Sequence, residues 1–330
     1  MRRRSFLATL LPALGGLMGA SAAGELLARA AQSHAMTPAL ETGAAHNNAV
    51  FRFAALGDTG TGGEGQWEVA RRMTELHDAR PFGTVLLLGD NLYPDGDPAG
   101  FREKFERPYA ELLRRGVRFH AVLGNHDVKG GRSAQINYDG FNMGGRSYYS
   151  FAEAGGMVEF FALDSNAMGL GQTAWLDGAL AASKATWKIA FLHHPPYSSG
   201  MKHGSSTALR SVVEPLFVRH GVAAVFSGHD HVYERIKRQG GVQYFVSGAG
   251  GQLRRGGLDR SSPLFEAGDD QVNSFISAEV TPDSFRFRAV GADGRTLDEG
   301  SLALVRPSVE TKIIRDAKEA ASEGCPFWML

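Results

Sequence analysis

The chain has 330 residues, of which 43% are hydrophobic and 21% charged, a composition typical of a globular protein with a sizeable core in one or two domains. Its 35 basic and 35 acidic residues balance, so no global field indicates binding to nucleic acid or to an anionic membrane. The one cysteine, Cys325, excludes an internal disulfide, a four-cysteine zinc site and an iron–sulfur cluster. Any metal must therefore be held by Asp, Asn, His and Tyr side chains.

Residues 1–30 have the pattern of an export signal. Arg2–Arg4 precede a moderately apolar run, and the small residues Ala20–Ala22 follow it, which is the layout of a signal peptide. The segment Arg3–Leu7 resembles the twin-arginine type, an address read by the twin-arginine export machinery. The apolar run is shorter than the roughly 20 residues that a membrane span needs. We therefore expect no stable membrane anchor and a protein that is exported, either to the periplasm or into the medium.

Behind an Ala-rich linker at 31–48, short apolar runs alternate with helical spacing, which indicates βαβ units and a largely buried sheet. We predict one α/β domain over 49–305, a four-layer α-β-β-α sandwich of two mixed sheets, with a helix and tail at 306–330. The predicted strands are 50–56, 85–88, 119–123, 158–163, 188–192, 222–226, 242–246, 274–280 and 284–290. The predicted helices are 64–79, 101–115, 172–182, 207–220 and 309–322.

Polar clusters follow five of the predicted strands or lie within a few residues of their ends. Active-site residues of α/β proteins collect at the carboxyl ends of strands, so clusters in five loops can converge in space. The clusters are Asp58; Asp90 with Tyr93; Asn125 with His126; His193 with His194; and His229 with His231.

These clusters offer the ligands that metal ions prefer. Asp58 and Asp90 supply hard oxygen atoms, and Asp90 could bridge two ions, while the histidine imidazoles suit Zn, Fe or Mn. A single Gly-Asp is usually only a turn, and a single His-Asp-His is usually only a hydrogen-bonded loop. Unrelated turns would not supply a complete ligand set in five separate loops, which favours a binuclear metal site at the carboxyl ends of the strands.

The blocks around these residues resemble the five motifs of the calcineurin-like metallophosphoesterases, in the same order. Most members of that superfamily carry Asp-x-His in the first block, whereas Gly60 stands two after Asp58 here. Tyr93, three after Asp90, lies where the purple acid phosphatase branch, which includes the tartrate-resistant acid phosphatases, places an iron-binding tyrosinate. The matching blocks are Gly57–Gly60, Gly89–Tyr93, Gly124–Asp127, His193–Pro196 and Gly228–His231, with Ser247–Gly250 similar to a late loop of the branch.

The resemblance implies a ligand set for two metals. Asp58, Tyr93 and His231 would bind the first metal, Fe(III), with Asp90 as the bridge. Asn125, His193 and His229 would complete the site of a second ion, Fe, Zn or Mn. His193 is preferred over His194, which lies next to Pro195, because the residues that follow then match the family's fourth block.

The resemblance also implies the reaction, hydrolysis of small phosphate monoesters by a metal-bound hydroxide that attacks phosphorus in line. His126 and His203 would act as catalytic groups near the phosphate. The loop 198–205 is expected to be a flexible flap that faces the substrate, and Arg254 and Arg255 are candidates for contact with a substrate anion. Two alternatives stay open, a phosphodiesterase acting on nucleotides or lipid head groups and a non-catalytic binding module with the same fold.

Overall fold

The computed structural model of the chain describes residues 50–304. The predicted export signal at 1–30, the linker at 31–48, the helix at 309–322 and Cys325 lie outside this part of the chain. Within residues 50–304, no helix is both long and apolar enough to cross a bilayer.

Between residues 50 and 304, thirteen strands and six α-helices account for most of the regular structure. The strands are β1 (Phe51–Leu56), β2 (Thr84–Leu87), β3 (Arg118–Ala121), β4 (Tyr149–Glu153), β5 (Val158–Ala162), β6 (Trp187–Phe191), β7 (Val222–Ser227), β8 (Tyr233–Ile236), β9 (Gln243–Ser247), β10 (Phe265–Asp269), β11 (Ser274–Val280), β12 (Phe285–Gly291) and β13 (Thr296–Leu302). The α-helices are α1 (Glu64–Ala79), α2 (Ala110–Arg114), α3 (Asp127–Gly130), α4 (Arg132–Ile136), α5 (Leu170–Ala182) and α6 (Thr207–His220). Short 3₁₀ turns lie at Pro98–Gly100, Asp139–Phe141 and Ala154–Gly156, and a π-helical turn lies at Arg102–Glu106.

The strands form two mixed sheets. The first sheet has the order β13-β12-β11-β1-β2-β3, and the second has the order β10-β8-β9-β7-β6-β5-β4. In the first sheet β1, β2 and β3 are parallel, and in the second β5, β6, β7 and β9 are parallel. The carboxyl ends of the parallel strands within each sheet therefore lie at one edge of that sheet.

Aromatic side chains fill the space between the two sheets. Phe53 of β1 meets Phe226 of β7 with ring centroids 5.8 Å apart, and Phe245 of β9 meets Phe287 of β12 at 4.8 Å. The outer face of the second sheet packs against buried leucines of α5 and α6, such as Leu176. The predicted α-β-β-α sandwich of two mixed sheets is thereby confirmed.

One predicted helix is broken. The stretch 101–115 was expected to be continuous, but it consists of the π-helical turn and the short helix α2 with Pro108 between them. Proline lacks the amide hydrogen that a helix interior requires, and its ring clashes with the preceding turn.

Candidate metal centre

The loops that follow the parallel strands place the seven predicted ligands together at the edge where the strands end. Asp58 follows β1, Asp90 and Tyr93 follow β2, and Asn125 follows β3, so these four come from the first sheet. The three histidines come from the second sheet, since His193 follows β6 and both His229 and His231 follow β7.

Three of these side chains form a first group. The Tyr93 hydroxyl lies 3.0 Å from Asp58 Oδ1 and 3.2 Å from His231 Nε2. His231 Nε2 lies 3.4 Å from the same Asp58 oxygen. One oxygen of a carboxylate, one phenolic oxygen and one imidazole nitrogen therefore converge on a single point.

A second group centres on His193, whose side chain is fully buried. Its Nε2 lies 3.1 Å from Asn125 Oδ1, 3.2 Å from His229 Nδ1 and 3.5 Å from Asp90 Oδ1. Single ligand atoms of Asp58, Asp90 and His193 all lie within 4.8 Å of one another. Asp90 is thus near both groups, which is the place of a bridging carboxylate.

Hydrogen bonds from the surrounding loops orient these ligands. His193 donates its Nδ1 hydrogen to the carbonyl of Leu88 over 2.9 Å, which leaves Nε2 free to bind a metal. The backbone amide of His229 donates to Asp58 Oδ2 at 2.8 Å, so that Oδ1 faces the first group. The amide of His126 donates to Asp90 Oδ1 at 2.9 Å.

The backbone is strained at three of the proposed ligands. Asp58, Asp90 and His229 have φ values of 57°, 51° and 72°, in the left-handed region that most residues avoid. Aspartate and histidine are among the residue types that enter this region most readily. Strain of this kind persists where the surrounding structure fixes the backbone, and it collects at functional sites.

The electrostatics of the site favour bound cations. Burial raises the pKa of Asp58 to about 6 in spite of its bond to His231, and burial together with Asp58 and Asp90 raises the pKa of the Tyr93 phenol. Burial also lowers the pKa of His193, and with the neighbouring histidines it lowers the pKa of His229 to about 2. Neutral imidazoles are the form that binds metal, and buried oxygen donors this close together are costly without a positive charge. The donor set therefore fits two metal ions.

Position 60 of the chain has no room for a side chain. A Cβ on Gly60 would lie 1.9 Å from the carbonyl oxygen of Asn91. The amide of Tyr93 donates to the carbonyl of Gly60 at 2.9 Å, so the two loops meet backbone to backbone. The histidine that most calcineurin-like enzymes carry two after the first aspartate is excluded here by this packing, and Tyr93 lies in the same group as Asp58.

A sequence model of the calcineurin-like phosphoesterases matches residues 51–233. The chain belongs to this family. Among curated proteins it is similar to tartrate-resistant acid phosphatase type 5 of Mus musculus, with 28% identity over 295 residues that cover 76% of this chain and 90% of the mouse protein. It is also similar to purple acid phosphatase 7 of Arabidopsis thaliana, with 28% identity over 287 residues that cover 76% of this chain and 85% of that protein.

Solved structures share the fold. GAP50, described as the anchor in the inner membrane complex of Plasmodium, has a TM-score of 0.67 at 20% identity and covers 78% of this chain and 90% of its own. The purple acid phosphatase PPD1 of yellow lupin has a TM-score of 0.64 at 18% identity over 78% of this chain and 54% of its own. The predicted branch of the family is confirmed by the curated relatives, and the protein is a purple acid phosphatase-like hydrolase of phosphoric ester bonds.

The two predicted catalytic histidines of this phosphoesterase border different groups. The ring of His126 lies 4.6 Å from the ring of Tyr93, and its Nε2 lies 3.9 Å from Asp90 Oδ2. The ring of His203 lies 4.1 Å from the ring of His229. Both side chains therefore reach the edge of the candidate centre without entering either group of ligand atoms.

His194 lies closer to the site than the sequence indicated. Its ring centroid is 4.5 Å from that of His229, and His193, His194 and His229 each place one nitrogen within 4.8 Å of the others. Its Nδ1 lies 2.9 Å from the hydroxyl of Ser165, which also accepts the His194 amide at 3.0 Å. The hydroxyl of Ser165 thus orients the ring of His194 beside those of His193 and His229, a position that the sequence alone did not indicate.

Asp127 organises the loops of the first sheet, although sequence reasoning gave it no role. Its buried carboxylate accepts the amides of Asn91 at 3.0 Å, Leu92 at 3.1 Å and Gly124 at 2.8 Å, and the side chain of Gln135 at 2.9 Å. The loop of Asp90 and Tyr93 is thereby tied to the loop of Asn125. Burial, with Asp90 nearby, raises the pKa of Asp127 to about 7.

The predicted flap is anchored near both of its ends, contrary to the expectation of a flexible loop. Buried Glu234 accepts the amide of Ser199 at 2.9 Å, and buried Asp230 accepts the Ser198 hydroxyl at 2.7 Å and the Gly204 amide at 3.0 Å. Met201 at the tip is 65% exposed. Two buried carboxylates therefore hold the loop that carries His203.

Asp164, which had no predicted role, is paired with Arg132 at 2.6 Å.

Proposed function

We propose that this protein hydrolyses phosphate monoesters at a binuclear Fe(III)–M(II) centre, with Fe, Zn or Mn as the second ion. The observation that carries the proposal is the convergence of the Tyr93 hydroxyl, Asp58 Oδ1 and His231 Nε2 within 3.4 Å of one another. Asp58, Tyr93 and His231 would hold Fe(III), Asp90 would bridge, and Asn125, His193 and His229 would hold the second ion.

The chemistry of the first group supports a trivalent metal. A free phenol ionises at about pH 10, and burial beside two carboxylates raises the pKa of Tyr93 further. A phenolate in this position therefore needs a strong Lewis acid as its partner. Carboxylate and phenolate oxygens are hard donors, which suit Fe(III) better than a soft ion.

When bound, two metal ions would supply Lewis acidity that neutralises charge on the phosphate oxygens and activates water. The side chains at the rim would donate a proton to the leaving alkoxide. His126 Nδ1 lies 2.6 Å from the carbonyl of Pro94, so it donates its hydrogen there, and Nε2 is the atom available to the substrate. His203, whose amide donates to Asp230 at 3.2 Å, is the second proton donor that we propose.

Two other functions are compatible with the fold. A phosphodiesterase that acts on nucleotides or lipid head groups would use the same two ions, but Tyr93 in the first group favours the phosphatase branch. The second alternative is a binding module without catalytic activity. This fold also occurs in GAP50, a protein described as an anchor. Every proposed ligand position is filled here, which supports catalysis.

The visible spectrum of the purified protein, with elemental analysis for iron, tests the proposal. We expect a broad band that gives a pink or purple colour, is lost in Tyr93→Phe, and persists in the control Tyr138→Phe, whose hydroxyl bonds Glu106 on the surface. A colourless protein with two divalent ions and full activity would move the protein to the diesterase-like branch. A protein without metal or hydrolysis would be a binding module.

Relative rates on 4-nitrophenyl phosphate and bis(4-nitrophenyl) phosphate test the preference for monoesters. We expect the monoester to be the better substrate at equal metal loading. A faster rate on the diester would overturn the monoester proposal and leave the two-metal site intact.

We further propose that the protein is exported through the twin-arginine machinery. The pattern at Arg3–Leu7 and the small residues at Ala20–Ala22 support this. The N-terminus of the mature protein and its location test it, with Arg3→Lys and Arg4→Lys combined as the variant. Export that is unaffected by the double substitution would contradict it.

A further inference from the structure

Three cationic side chains border the candidate centre, and within residues 50–304 none of them forms an ion pair with an acidic residue. Lys129 Nζ lies 3.1 Å from His126 Nδ1. Lys202 lies next to His203 in the chain, and the backbone of Arg254 is bonded to that of His231.

Arg254 is the most constrained of the three. Its backbone amide donates to the carbonyl of His231 at 2.9 Å, which fixes the residue beside the first group. Its Nε is buried and has no hydrogen-bond partner in the described part of the chain. A buried guanidinium N–H without an acceptor is costly, and an incoming oxyanion would remove that cost.

The arginine and the flap form one hydrogen-bonded unit. The amide of Met201 donates to the carbonyl of Gly257 at 2.9 Å, and the amide of Gly257 donates to the carbonyl of Arg254 at 3.1 Å. An isolated β-bridge joins Gly200 to Leu258. The loop that carries Lys202 and His203 is therefore fastened to the loop that carries Arg254.

We propose that Arg254 determines specificity by binding a second anionic group of the substrate. The preferred substrates would be phosphate esters whose leaving group carries a further phosphate or carboxylate. Lys129 lies beside the rim histidine His126, Lys202 precedes the rim histidine His203 in the chain, and Arg254 is anchored to the backbone of His231. Their charge therefore falls on the part of a substrate that extends beyond the transferred phosphoryl group. The planar guanidinium of Arg254 is suited to a carboxylate or phosphate, and the two lysines strengthen the field.

This inference rests on the proposed function, and a matched pair of substrates tests it. Phenyl phosphate and 4-carboxyphenyl phosphate have similar leaving groups and differ by one negative charge. In Arg254→Met we expect kcat/KM for the carboxylated substrate to fall about tenfold more than for phenyl phosphate, as loss of one charge-assisted contact predicts. Arg254→Lys should restore part of the difference.

Arg238→Met is the control, because Arg238 has the same charge, is exposed and follows the end of β8 that is remote from His231. It should leave the ratio of the two substrates unchanged. Equal losses on both substrates in Arg254→Met, or no loss at all, would overturn the inference.

A binding measurement separates this inference from the proposed function. If the wild-type protein does not hydrolyse phenyl phosphate, the proposed function fails, and calorimetry with inorganic phosphate and pyrophosphate still tests Arg254. We expect Arg254→Met to raise the Kd of pyrophosphate about tenfold and that of phosphate by less. Equal changes for the two ligands would overturn the inference.

Discussion

Gly60 packs against the backbone of Asn91 so closely that a Cβ at position 60 would lie 1.9 Å from the Asn91 carbonyl oxygen. This contact joins the loop of Asp58 to the loop of Tyr93, and the Tyr93 amide bonds the Gly60 carbonyl beside it. The first group of ligands is therefore held by backbone contacts as well as by its side chains. A larger residue at position 60 must separate the two loops.

Gly60→Ala should consequently disturb both stability and the first metal. We expect a loss of about 1–3 kcal/mol in the free energy of unfolding, as for other overpacked sites, and a weaker visible band at equal iron supply. Thermal unfolding and the visible spectrum measure the two effects. Gly178→Ala is the control, since no atom of residues 50–304 lies within 4 Å of a Cβ there. A Gly60→Ala protein with wild-type stability and colour would contradict the packing argument.

Asp127→Asn should lower metal affinity without removing a ligand. The amides of Asn91, Leu92 and Gly124 point at the Asp127 carboxylate, and an amide NH₂ in its place would face donors. We expect metal affinity to fall about 10–100-fold, as for other groups that orient ligands, which elemental analysis at limiting metal would detect. Asp283→Asn, at an exposed position, should bind metal like the wild type. Unchanged affinity in Asp127→Asn would show that the loops hold without it.

His203→Ala should slow poor leaving groups more than good ones. A proton donor matters most when the departing alkoxide is basic, so we expect turnover of an alkyl phosphate to fall about a hundredfold and that of 4-nitrophenyl phosphate much less. Steady-state kcat on the two substrates measures this. Equal losses on both substrates would exclude His203 as the acid and leave His126 as the candidate.

Buried His120 predicts a loss of stability in acid. Its ring stacks on Phe151 at 3.8 Å, both ring nitrogens lack hydrogen-bond partners among the residues that the structure describes, and burial lowers its pKa to about 4. Because the unfolded chain takes up the proton first, stability is complete above the ordinary pKa of 6.5 and is lost as the pH falls from 6.5 to about 4. The difference between these two pKa values corresponds to a loss of about 3 kcal/mol in the free energy of unfolding.

Denaturant unfolding of the wild type and of His120→Phe over this pH range measures the effect. The free energy of unfolding of the wild type should fall more steeply, because phenylalanine keeps the stacking and does not titrate. Other titrating groups contribute equally to both proteins. Parallel curves would show that His120 is not the cause of acid sensitivity.

Among the described residues, the sequence predicted most of the central strands and the edge strand β3, but it missed the edge strands β4, β10 and β13 and the inner strand β8. The central strands β1, β2, β5, β6 and β7 are apolar runs because both faces of their sheets are covered. The strands β4, β10 and β13 lie at sheet edges and carry polar or exposed residues, for example in the run Thr296–Leu302. β8 contains Glu234, whose burial depends on its bond to Ser199, 35 residues away. Such partners are visible only in the folded chain.

The residues of the candidate site likewise divide into those that the sequence predicted and those whose role is visible only in the folded chain. The proposed ligands could be predicted because glycine-flanked polar residues recur after strands and match motifs of one family. Asp127 and Asp230 act through atoms that the topology brings near them, and single-sequence patterns do not encode those distances. The position of His194 depends likewise on the Ser165 hydroxyl, 29 residues earlier.

Neither group of proposed ligands belongs to one sheet. The first group combines Asp58 and Tyr93 from one sheet with His231 from the other, and the second combines Asn125 with His193 and His229. An ion in either place would act as a cross-link across the mouth of the sandwich, and its binding free energy would add to the free energy of folding. Removal of the ions by a chelator would thus lower the free energy of unfolding, because it would remove links between the two sheets. It would also stop hydrolysis. Neither group can assemble before the two sheets have docked, so the folded sandwich is the form that accepts the metal.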